Sequence, residues 1–507
     1  MPVNLENPDW GMVLPQLIVL VMAVVVSLLD AFLPKARHFT VITGVTLVGF
    51  VLALVALLSQ AGDSGQTFHG LFRQDGLAIF MGVVILVAAI LTVLISASYV
   101  EYLDGHMGTG EFYTLISFAV LGAMVTATAG DMVMLFVGIE LSSVATYILT
   151  AFAKRRTTAL EGALKYTLLG MFATAIMLYG FSWIYGATGS TNLTVISSTI
   201  SENLSGDGAD AGLILGLLLL IVGFGFKLAA VPFHFWTPDA YDGAPSPVTG
   251  FMSVVPKAAA MAALVRILAE GLEPLVDDWR IVIAVLAFVT MFFGNIVGIS
   301  QRNVKRMLAY SSIAHTGYML AGLAAYKMVD GVADERSISS VLYYLLAYAF
   351  MNIGAFAVVV WVQHRGEGVE LEDFAGLGSR SPLAAAAMVV FLVSLMGIPP
   401  TIGFYGKYYV IVALLDANLL WLAISIVIAS AISAYFYLRV VATMYFQENQ
   451  KTADAPVEKI PTGLLNVGIV VMVIGVFVLG LFSGRIIDLA NDWTNGWVHV
   501  ASALQSR

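Results

Sequence analysis

The sequence predicts an all-α polytopic membrane protein with about fourteen transmembrane helices. Composition is the first observation behind this prediction, because 59% of the 507 residues are hydrophobic and only 11% are charged. The second is that apolar runs of about 20 residues, enough to cross a bilayer core, recur along the whole chain. The third is that prolines interrupt two of these runs without ending the apolar pattern. Such a composition excludes a soluble enzyme.

Short polar segments separate the predicted spans. The spans lie near Gly11–Phe32, Phe39–Ser59, Leu77–Val100, Phe112–Ala129, Met132–Ala153, Ala163–Tyr185, Ala211–Tyr241, Val248–Leu268, Ile281–Ile299, Met307–Ala325, Val341–Val362, Leu383–Ala417, Leu419–Phe446 and Leu464–Leu481. The seventh breaks around Pro232, and the twelfth around Pro399 and Pro400. A proline inside a helix removes a backbone donor and clashes with the preceding turn. Kinks that serve only packing are the alternative interpretation.

The longest polar connections, Ser190–Asp210, Arg365–Ser381 and Gln447–Pro461, have the size of loops, so residues 1–507 are predicted to be a single membrane domain. Within it, residues 1–100 hold three N-terminal helices, 112–270 and 281–446 hold five helices each, and 464–481 form a C-terminal helix. The two interrupted spans are five helices apart, and an odd offset reverses the direction of equivalent helices. Helices four to eight and nine to thirteen are therefore predicted to form an inverted repeat, with discontinuous helices 7 and 12.

The basic residues of the loops predict the orientation in the membrane. If the chain starts outside, twelve lie in inward loops and six in outward segments, and inward loops are normally the richer in lysine and arginine. The inward set is Lys35, Arg37, Lys154, Arg155, Arg156, Arg302, Lys305, Arg306, Arg365, Arg380, Lys451 and Lys459, and the outward set is Arg73, Arg280, Lys327, Arg336, Arg485 and Arg507. Both termini are expected on the non-cytoplasmic side. The N-terminal stretch MPVNLENPDW lacks a signal-peptide pattern, so the first span is expected to stay in the mature protein.

Several functions are not expected of this chain. It contains no cysteine, which excludes Cys-ligated iron–sulfur clusters and thiol catalysis within it. A P-loop, a dinucleotide-binding fingerprint and clustered metal ligands are also missing from the sequence. The net charge is −9 and the basic residues form no block, so nucleic acid is not an expected partner. No cofactor is expected in this chain, and any redox chemistry is expected in another subunit.

Charged side chains within the spans are the candidate functional residues. Lys227 and Lys257 lie near the middle of the seventh and eighth spans, Lys407 follows the break in the twelfth, and Glu140 lies near the centre of the fifth. A charge at mid-bilayer costs roughly 2.5–3.5 kcal/mol and normally faces protein or water. Burial favours the neutral amine of a lysine, whereas a neighbouring carboxylate favours the ammonium, so moving Glu140 relative to Lys227 could release a proton. A structural ion pair between helices is the alternative.

Other polar residues in the spans are weaker candidates. His315, central in the tenth span, and His234, beside Pro232, could relay protons, although a histidine hydrogen-bonded to a neighbour is the alternative. Lys165 is expected to pair with Glu161 across one helical turn. Four further residues are expected to face loops or to end helices and are given no role in transport: Asp239, Asp242, Arg266 and Arg439.

Specific sequence blocks resemble a known family. FKLAAVPFHFWTPDAYDGAPSPVTGFMSVVPKAAAMAALVRIL is similar to the central signature of subunit N of proton-pumping NADH:quinone oxidoreductase, respiratory complex I, the family that includes mitochondrial subunit 2 and its plastid counterpart. GIELSSVATYILTAF, EGALKYTLLG, QRNVKRMLAYSSIAHTGYML, YAFMNIGAFAVVV and LEDFAGLGSRSPLAAAAMVVFLVSLMGIPPTIGFYGKYYV resemble the same family. These landmarks extend over nearly the whole chain.

The resemblance implies an antiporter-like fold and a role for each matching residue. It implies Glu140 as the carboxylate of the fifth helix, Lys227 as its partner, and Lys257 and Lys407 as the following proton carriers. Lys165 matches a further lysine of the family, and His315 matches a histidine thought to line the central hydrated axis.

The expected setting follows from the same resemblance. It is the bacterial inner membrane, with the thylakoid membrane as the alternative. FMN, iron–sulfur clusters and quinone are expected in partner subunits, and the neighbours are expected to be subunit M, the small subunits K and J, and lipids.

Three interpretations of function remain open from the sequence. The first is a proton-translocating subunit of an NADH:quinone oxidoreductase, which has enzyme activity only as a complex. The second is a subunit of a multisubunit cation/proton antiporter or of a membrane-bound hydrogenase. The third is a scaffold that holds pump subunits together. In the related subunits L and M the block corresponding to FHFWTPDAYDGAPSPVTGF differs, which favours subunit N.

Overall fold

The computed structural model describes residues 7–103, 108–204, 211–329, 332–334, 336–448 and 462–505. Its α-helices are α1 (Leu14–Phe32), α2 (Lys35–Ser59), α3 (Gly76–Leu103), α4 (Thr109–Ala127), α5 (Met132–Thr150), α6 (Thr157–Thr188), α7 (Leu193–Leu204), α8 (Ala211–Leu228), α9 (Thr237–Gly243), α10 (Ser246–Arg266), α11 (Val276–Ser300), α12 (Val304–Ala324), α13 (Arg336–Gln363), α14 (Leu377–Arg380), α15 (Pro382–Met396), α16 (Ile402–Asp416), α17 (Leu420–Phe446), α18 (Gly463–Leu481) and α19 (Ser483–Gln505). A π-helical turn, Ile267–Gly271, continues α10.

Twelve helices of the described residues are long and apolar enough to cross a membrane. They correspond to the predicted spans except the tenth and the twelfth. The tenth is α12, whose many polar residues lower its hydropathy, and the twelfth is divided into α15 and α16, each of 15 residues. The structure confirms a polytopic helical membrane protein, and the total of fourteen spans stays a prediction.

Both predicted interruptions are present. α8 ends at Leu228 and α9 begins at Thr237, while α15 ends at Met396 and α16 begins at Ile402. The breaks contain Pro232 and the pair Pro399 and Pro400. Prolines cannot donate to the helical ladder, so backbone carbonyls before each break need other donors. Backbone N–H groups within the breaks supply some of those donors, such as Ala229 N to Phe226 O at 3.0 Å, and side chains of the candidate site supply others.

Some predictions of the connecting segments were wrong. Ser190–Asp210 was expected to be a loop, but it contains α7 up to Leu204, and α19 follows the last predicted span. Two small antiparallel hairpins also lie in connecting segments, β1 (Gly65–Thr67) with β2 (Phe72–Gln74) and β3 (Met328–Val329) with β4 (Val332–Ala333), and they leave the all-α class unchanged. The segment 449–461 lies outside the described residues.

Burial divides the helices into an inner and an outer group. Nearly every described residue of α10 and α13 is buried, and α3 is buried over most of its length. α1, α2, α6 and α18 present one exposed apolar face, including Phe172 and Val470. Helices that are apolar all round belong in the centre of a membrane bundle, whereas an exposed apolar face suits lipid or a neighbouring subunit.

Glycines permit two unusually close helix pairs. A Cβ on Gly122 of α4 would overlap the backbone of α5 at Gly138, and a Cβ on Gly294 of α11 would overlap the backbone of α12 near Tyr310 and Ala314. Small residues let membrane helices approach closely enough for backbone packing. The two pairs occupy equivalent places in the predicted inverted repeat, which they support; the division into repeats stays a prediction.

Two basic residues are more buried than expected, and a third, Arg439, binds the end of α11. Arg266 was expected at a span end or facing a loop, yet its guanidinium is fully buried. Lys305, counted with the inward loops, is buried and donates to the carbonyls of Asp242 (2.9 Å) and Ala244 (2.6 Å). Arg439 donates to the carbonyls of Ile299 (2.8 Å) and Gln301. Lys305 and Arg439 bind helix C-termini, where carbonyls lack intrahelical donors and carry partial negative charge. Their positions follow from this attraction.

Candidate functional site

Glu140 and Lys227 form an ion pair inside the membrane region. The Lys227 ammonium donates to Glu140 Oε1 at 2.7 Å, and their side chains are 6% and 21% exposed. Thr174 of α6 donates to the same carboxylate oxygen at 2.8 Å. The pairing predicted from the sequence is therefore present in the structure.

The remaining hydrogen-bonding capacity of Lys227 is used by α5. Its ammonium also donates to Ser143 Oγ at 2.8 Å and to Tyr147 Oη at 3.4 Å. Glu140, Ser143 and Tyr147 are three and four residues apart in turn, so they share one face of α5. Three oxygen acceptors from one helix face thus surround one ammonium, which is the full donor capacity of a lysine.

Lys227 lies in the last turn of α8, directly before the break. Side chains from other elements satisfy the carbonyls that the break releases: Trp236 Nε1 donates to Phe226 O at 3.1 Å, and Thr316 Oγ1 donates to Leu228 O at 2.8 Å. Thr290 Oγ1 accepts from Val231 N at 3.0 Å. The break is therefore held in a defined geometry by polar side chains.

Lys257 lies in α10 with only neutral partners. Its ammonium donates to Ser312 O (2.9 Å), Ser312 Oγ (2.7 Å) and Thr316 Oγ1 (2.9 Å), and the residue is 1% exposed. Within the described residues it forms no ion pair. The predicted alternative of a structural ion pair between helices does not apply to Lys257 in that part of the chain.

Thr316 connects Lys257 to the first helix break. Its hydroxyl accepts from Lys257 and donates to the carbonyl of Leu228, which follows Lys227 directly in the chain. Ser312 also lies 3.4 Å from Tyr241 Oη. The side chains of α12 thus bond both to the Lys257 ammonium and to the backbone directly after Lys227.

His315 is fully enclosed by tyrosines. Its Nδ1 lies 2.7 Å from Tyr344 Oη, and its Nε2 lies 3.4 Å from Tyr437 Oη. Each ring nitrogen can donate or accept, depending on the tautomer. Because His315 is one turn from Ser312 on α12, it lies next to the partners of Lys257 and faces the second half of the bundle.

Lys407 binds the end of the preceding half-helix. Its ammonium donates to Leu395 O at 3.0 Å and to Met396 O at 2.8 Å, the last carbonyls of α15. The partial negative charge of a helix C-terminus stabilises a cation there. The ammonium also lies 4.9 Å from the centre of the Tyr318 ring, and this ring is 5.4 Å from the ring of His315. Tyr318 therefore lies between His315 and Lys407.

The structure separates the two remaining candidates from this line of contacts. Lys165 binds Glu161 Oε1 and Asp239 Oδ2, each at 2.7 Å, and its side chain is 42% exposed. Its predicted pair with Glu161 is present, and Asp239 extends that pair to α9. His234 is buried in the first break against Phe235 and Phe293, and its Nδ1 has no hydrogen-bond partner among the described residues.

Asp239 and Asp242 are more than helix-terminating residues. Arg306 of α12 contacts Asp239 at 2.8 Å and Asp242 at 3.8 Å, and Asn303 Nδ2 donates to Asp242 at 3.1 Å. The second half of the broken seventh span is therefore attached to α12 by charge, a contact that the sequence analysis did not predict.

Comparisons with known proteins decide the family. A family model described as NADH:quinone oxidoreductase/Mrp antiporter, TM, matches residues 129–433. The curated NADH-quinone oxidoreductase subunit N 1 of Solibacter usitatus is 40% identical over 478 residues, which are 94% of this chain and 95% of that protein. The chain belongs to the NADH-quinone oxidoreductase subunit N family. The resemblance found in the sequence is thereby confirmed.

Solved structures agree with membership in the subunit N family. A chain of respiratory complex I from Thermus thermophilus with bound aureothin has 33% sequence identity and a TM-score of 0.76, covering 94% of this chain and 99% of that chain. A chain of the Mrp complex from a Dietzia species has 19% identity and a TM-score of 0.82, covering 98% and 99%. The second likeness concerns the fold alone, and it confirms the antiporter-like fold predicted from the sequence.

The family segment contains every candidate that the sequence singled out. Residues 129–433 extend from before Glu140 to beyond Lys407. Their neutral partners were not predicted; these are Ser143, Tyr147, Thr174, Ser312, Thr316, Tyr318 and Tyr344 in the same segment and Tyr437 just after it. A polar signal exists for some of them, because the run AYSSIAHTGYML places several hydroxyls around His315.

The titratable side chains of the site are not grouped as metal ligands in the part of the chain that the structure describes. Among the described residues, three or more His, Asp or Glu side chains nowhere form a cluster that could hold a metal ion. The chemistry available at Glu140, Lys227, Lys257, His315 and Lys407 is proton binding and release.

Proposed function

We propose that this chain translocates protons as the antiporter-like membrane-arm subunit N of an NADH:quinone oxidoreductase. The observation that carries the proposal is the Glu140–Lys227 ion pair beside a helix break, where Thr316 bonds both to the Leu228 carbonyl at that break and to a second buried lysine, Lys257. Membership in the subunit N family supports the assignment to this complex. The chain has enzyme activity only as part of that complex, because electron transfer from NADH to quinone takes place in other subunits.

Separation of Glu140 from Lys227 is the proposed switch. Redox energy released elsewhere in the complex moves the carboxylate, and the Lys227 ammonium then loses its only charged partner recorded among the described residues. Two unit charges 4 Å apart attract by about 4 kcal/mol at an effective dielectric constant of 20. Moving one charge against 100 mV costs about 2.3 kcal/mol. The attraction lost when the pair separates is therefore larger than the cost of moving one proton against 100 mV.

The released proton is proposed to travel along the lysines. From Lys227 it passes through water and the hydroxyls around Thr316 to Lys257, then past His315 and Tyr318 to Lys407. The neutral partners of Lys257 support this step, since an ammonium without a carboxylate gives up its proton more readily than a paired one. Lys165 and His234 are proposed as possible further relay groups near the first break, where half-helix ends and freed carbonyls suit hydration.

The partners and location follow from the same proposal. FMN, the iron–sulfur clusters and the quinone belong to partner subunits, in agreement with a sequence that has no cysteine. Subunit M and the small subunits K and J are the proposed neighbours, together with lipids. The proposed location is the bacterial inner membrane, with both termini on the non-cytoplasmic side and the thylakoid membrane as the alternative.

Substitution of Lys257 tests the relay. Lys257→Ala removes the middle proton carrier, and a charge that crosses this depth without a carrier costs about 2.5–3.5 kcal/mol. Since about 1.4 kcal/mol is tenfold in rate, this cost corresponds to a fall of about 60-fold or more in proton pumping driven by NADH. The measurement is pumping in inverted membrane vesicles, with complex assembly followed on native gels.

Lys154→Ala is the matched control, because Lys154 is exposed in the segment between α5 and α6. Normal pumping by an assembled Lys257→Ala complex would contradict the relay. Copurification tests the complex itself: a chain that consistently purifies without flavin and iron–sulfur proteins would instead favour a multisubunit cation/proton antiporter.

A further inference from the structure

An apolar groove of about 590 Å³ lies on the outside of the bundle. Its walls are α15 and α18, and the end of α13 closes one end with Trp361 and Arg365. Leu383 and Val470 line the groove and are 88% and 56% exposed in this chain. The groove is separate from the lysine line, since none of the relay residues contributes to its lining.

A positively charged side chain, Arg365, lies at the rim of this groove. The Arg365 guanidinium lies 4.1 Å from the centre of the Trp361 ring, and Arg365 is the one charged residue in the described lining. Within the described residues it forms no ion pair, whereas Arg380 in the same connecting segment is paired with Glu367. Trp361 holds the guanidinium at the mouth of the groove and leaves its N–H donors available.

The other groups at the rim also favour an anion. Ser381, Thr462 and Asn466 line the groove beside Arg365, and Ser381 and Thr462 immediately precede α15 and α18. Neither residue caps its helix with a side-chain hydrogen bond. Two helix N-termini therefore direct partial positive charge and backbone donors toward the rim, in addition to the full charge of Arg365.

The size of the groove fits an acyl chain better than a protein helix. Along α18 the lining extends from Thr462 to Ile474, which is about 18 Å at 1.5 Å per residue, roughly half of a hydrocarbon core about 30 Å thick. The volume divided by this length gives a cross-section of about 33 Å². An α-helix with side chains is about 10–12 Å wide, or about 80–110 Å² in section, so it would not lie within the groove as an acyl chain can.

We propose that the groove binds one anionic glycerophospholipid. Its phosphate is held by Arg365 at the rim, and an acyl chain lies between α15 and α18. The rim is at the end of the bundle that carries the inward-loop basic residues, so the lipid belongs to that leaflet. The proposal depends on the geometry of this groove and not on the proton relay, so either can fail without the other.

Site-specific crosslinking in the assembled complex tests the proposal. A photoreactive amino acid replaces Val470, and the complex is placed in nanodiscs of phosphatidylcholine containing phosphatidylglycerol. After irradiation, mass spectrometry identifies what is attached to this chain. We expect enrichment of phosphatidylglycerol over its share of the nanodisc. Equal capture of the two lipids, or capture of a neighbouring protein segment, would overturn the proposal.

Two variants separate the headgroup contact from the apolar contact. Arg365→Ala should lower phosphatidylglycerol capture about tenfold, since it removes a charge-assisted contact with the phosphate, while Arg365→Lys retains part of it. Ala386→Trp fills the groove at an exposed lining residue and should lower capture with Arg365 intact. Binding of the phosphate group alone would be insensitive to Ala386→Trp, and that result would also overturn the proposal.

Arg302→Ala is the matched control, because Arg302 is exposed in another inward segment and does not line the groove. It should leave capture unchanged. An equal loss in Arg302→Ala and Arg365→Ala would mean that general surface charge, and not this groove, attracts the lipid. Arg365 is exposed, so its variants are expected to assemble normally, which native gels check.

Discussion

Arg266 shows how the fold accommodates charges that do not carry protons. Its guanidinium binds both carboxylate oxygens of Asp75 at 2.9 and 3.0 Å, and its Nε donates to Ala127 O at 2.8 Å. Glu270 lies 3.4 Å away and pairs with Arg73, which in turn donates to Thr194. Two arginines and two carboxylates cancel in charge. This buried cluster joins the segment before α3 to α4, α7 and the end of α10.

Arg266→Met should destabilise the protein strongly. The change leaves Asp75 buried without its bidentate partner, and breaking a buried ion pair by removing one partner costs about 3–5 kcal/mol. We expect a lower thermal unfolding temperature of the complex and less of this chain in membranes. Arg485→Met is the control, since Arg485 is exposed and stacks on Phe482. Equal stability of the two variants would show that the cluster does not hold these elements together.

The buried lysines differ from Arg266 in their partners. Lys227 has one carboxylate, Lys257 has hydroxyls and a carbonyl, and Lys407 has the carbonyls of a helix end. A bidentate guanidinium is always charged and suits a permanent contact, whereas an ammonium with neutral partners can exist in either protonation state. The choice of lysine along the proposed path and arginine in the cluster follows this difference.

At the scale of elements, the α4–α5 contact sets the position of Glu140. Gly138 lies two residues before Glu140, and a Cβ there would come within 2.7 Å of Thr126 N and 2.9 Å of Gly122 O. Backbone atoms cannot move aside as a flexible side chain can. The spacing between α4 and α5 therefore depends on the absence of a side chain at Gly138.

Gly138→Val should push α5 away from α4 and shift Glu140 relative to Lys227. Overpacking of this kind typically costs about 1–3 kcal/mol. We expect lower thermal stability of the complex and a pumping rate that falls more than the amount of assembled complex. Gly186→Ala in α6 is the control, because its added Cβ meets no atom within 4 Å. Unchanged pumping in assembled Gly138→Val complex would show that the ion pair tolerates movement of α5.

The sequence predicts helices correctly where the chain is strongly apolar over about 20 residues. Long apolar runs gave the spans, and Pro232 and Pro399 marked the two breaks because proline lacks a backbone donor. α7 was missed since its segment is polar overall, although Leu193, Ile196 and Ile200 are buried at helical spacing. A window that looks for membrane spans does not detect a short amphipathic helix of this kind.

The candidate site was predictable only in its charged part. Glu140 and the lysines stand out because charge is rare within apolar runs. Their hydroxyl partners do not, since Ser312, Thr316 and Thr174 resemble many threonines and serines that bond to their own helix. Which hydroxyl meets which lysine depends on contacts between helices far apart in the chain, and periodicity within one segment contains no information on those.

For the whole molecule, the distribution of basic residues reflects both membrane orientation and helix termination. Arg280 on the predicted outward side donates to Ala324 O and Ala417 O, and Lys305 on the predicted inward side donates to Asp242 O and Ala244 O. Both side chains satisfy carbonyls at helix ends, so neither reports on orientation alone. Without Arg280 and Lys305, eleven basic residues remain on the predicted inward side and five on the predicted outward side, so the bias keeps its direction.

Cysteine mapping tests that orientation directly, because the natural chain has no cysteine and any label on it comes from the introduced residue. Asp63→Cys and Asp278→Cys place thiols at exposed positions on the predicted outward side, and Lys154→Cys and Arg302→Cys at exposed positions on the inward side. A membrane-impermeant maleimide should label the first pair in intact cells stripped of their outer wall and the second pair in inverted vesicles. These sites avoid the buried charges, so pumping should stay close to normal and assembly can be checked in the same preparations. Labelling of Lys154→Cys from outside would place the termini in the cytoplasm and reverse the direction of the proposed proton path.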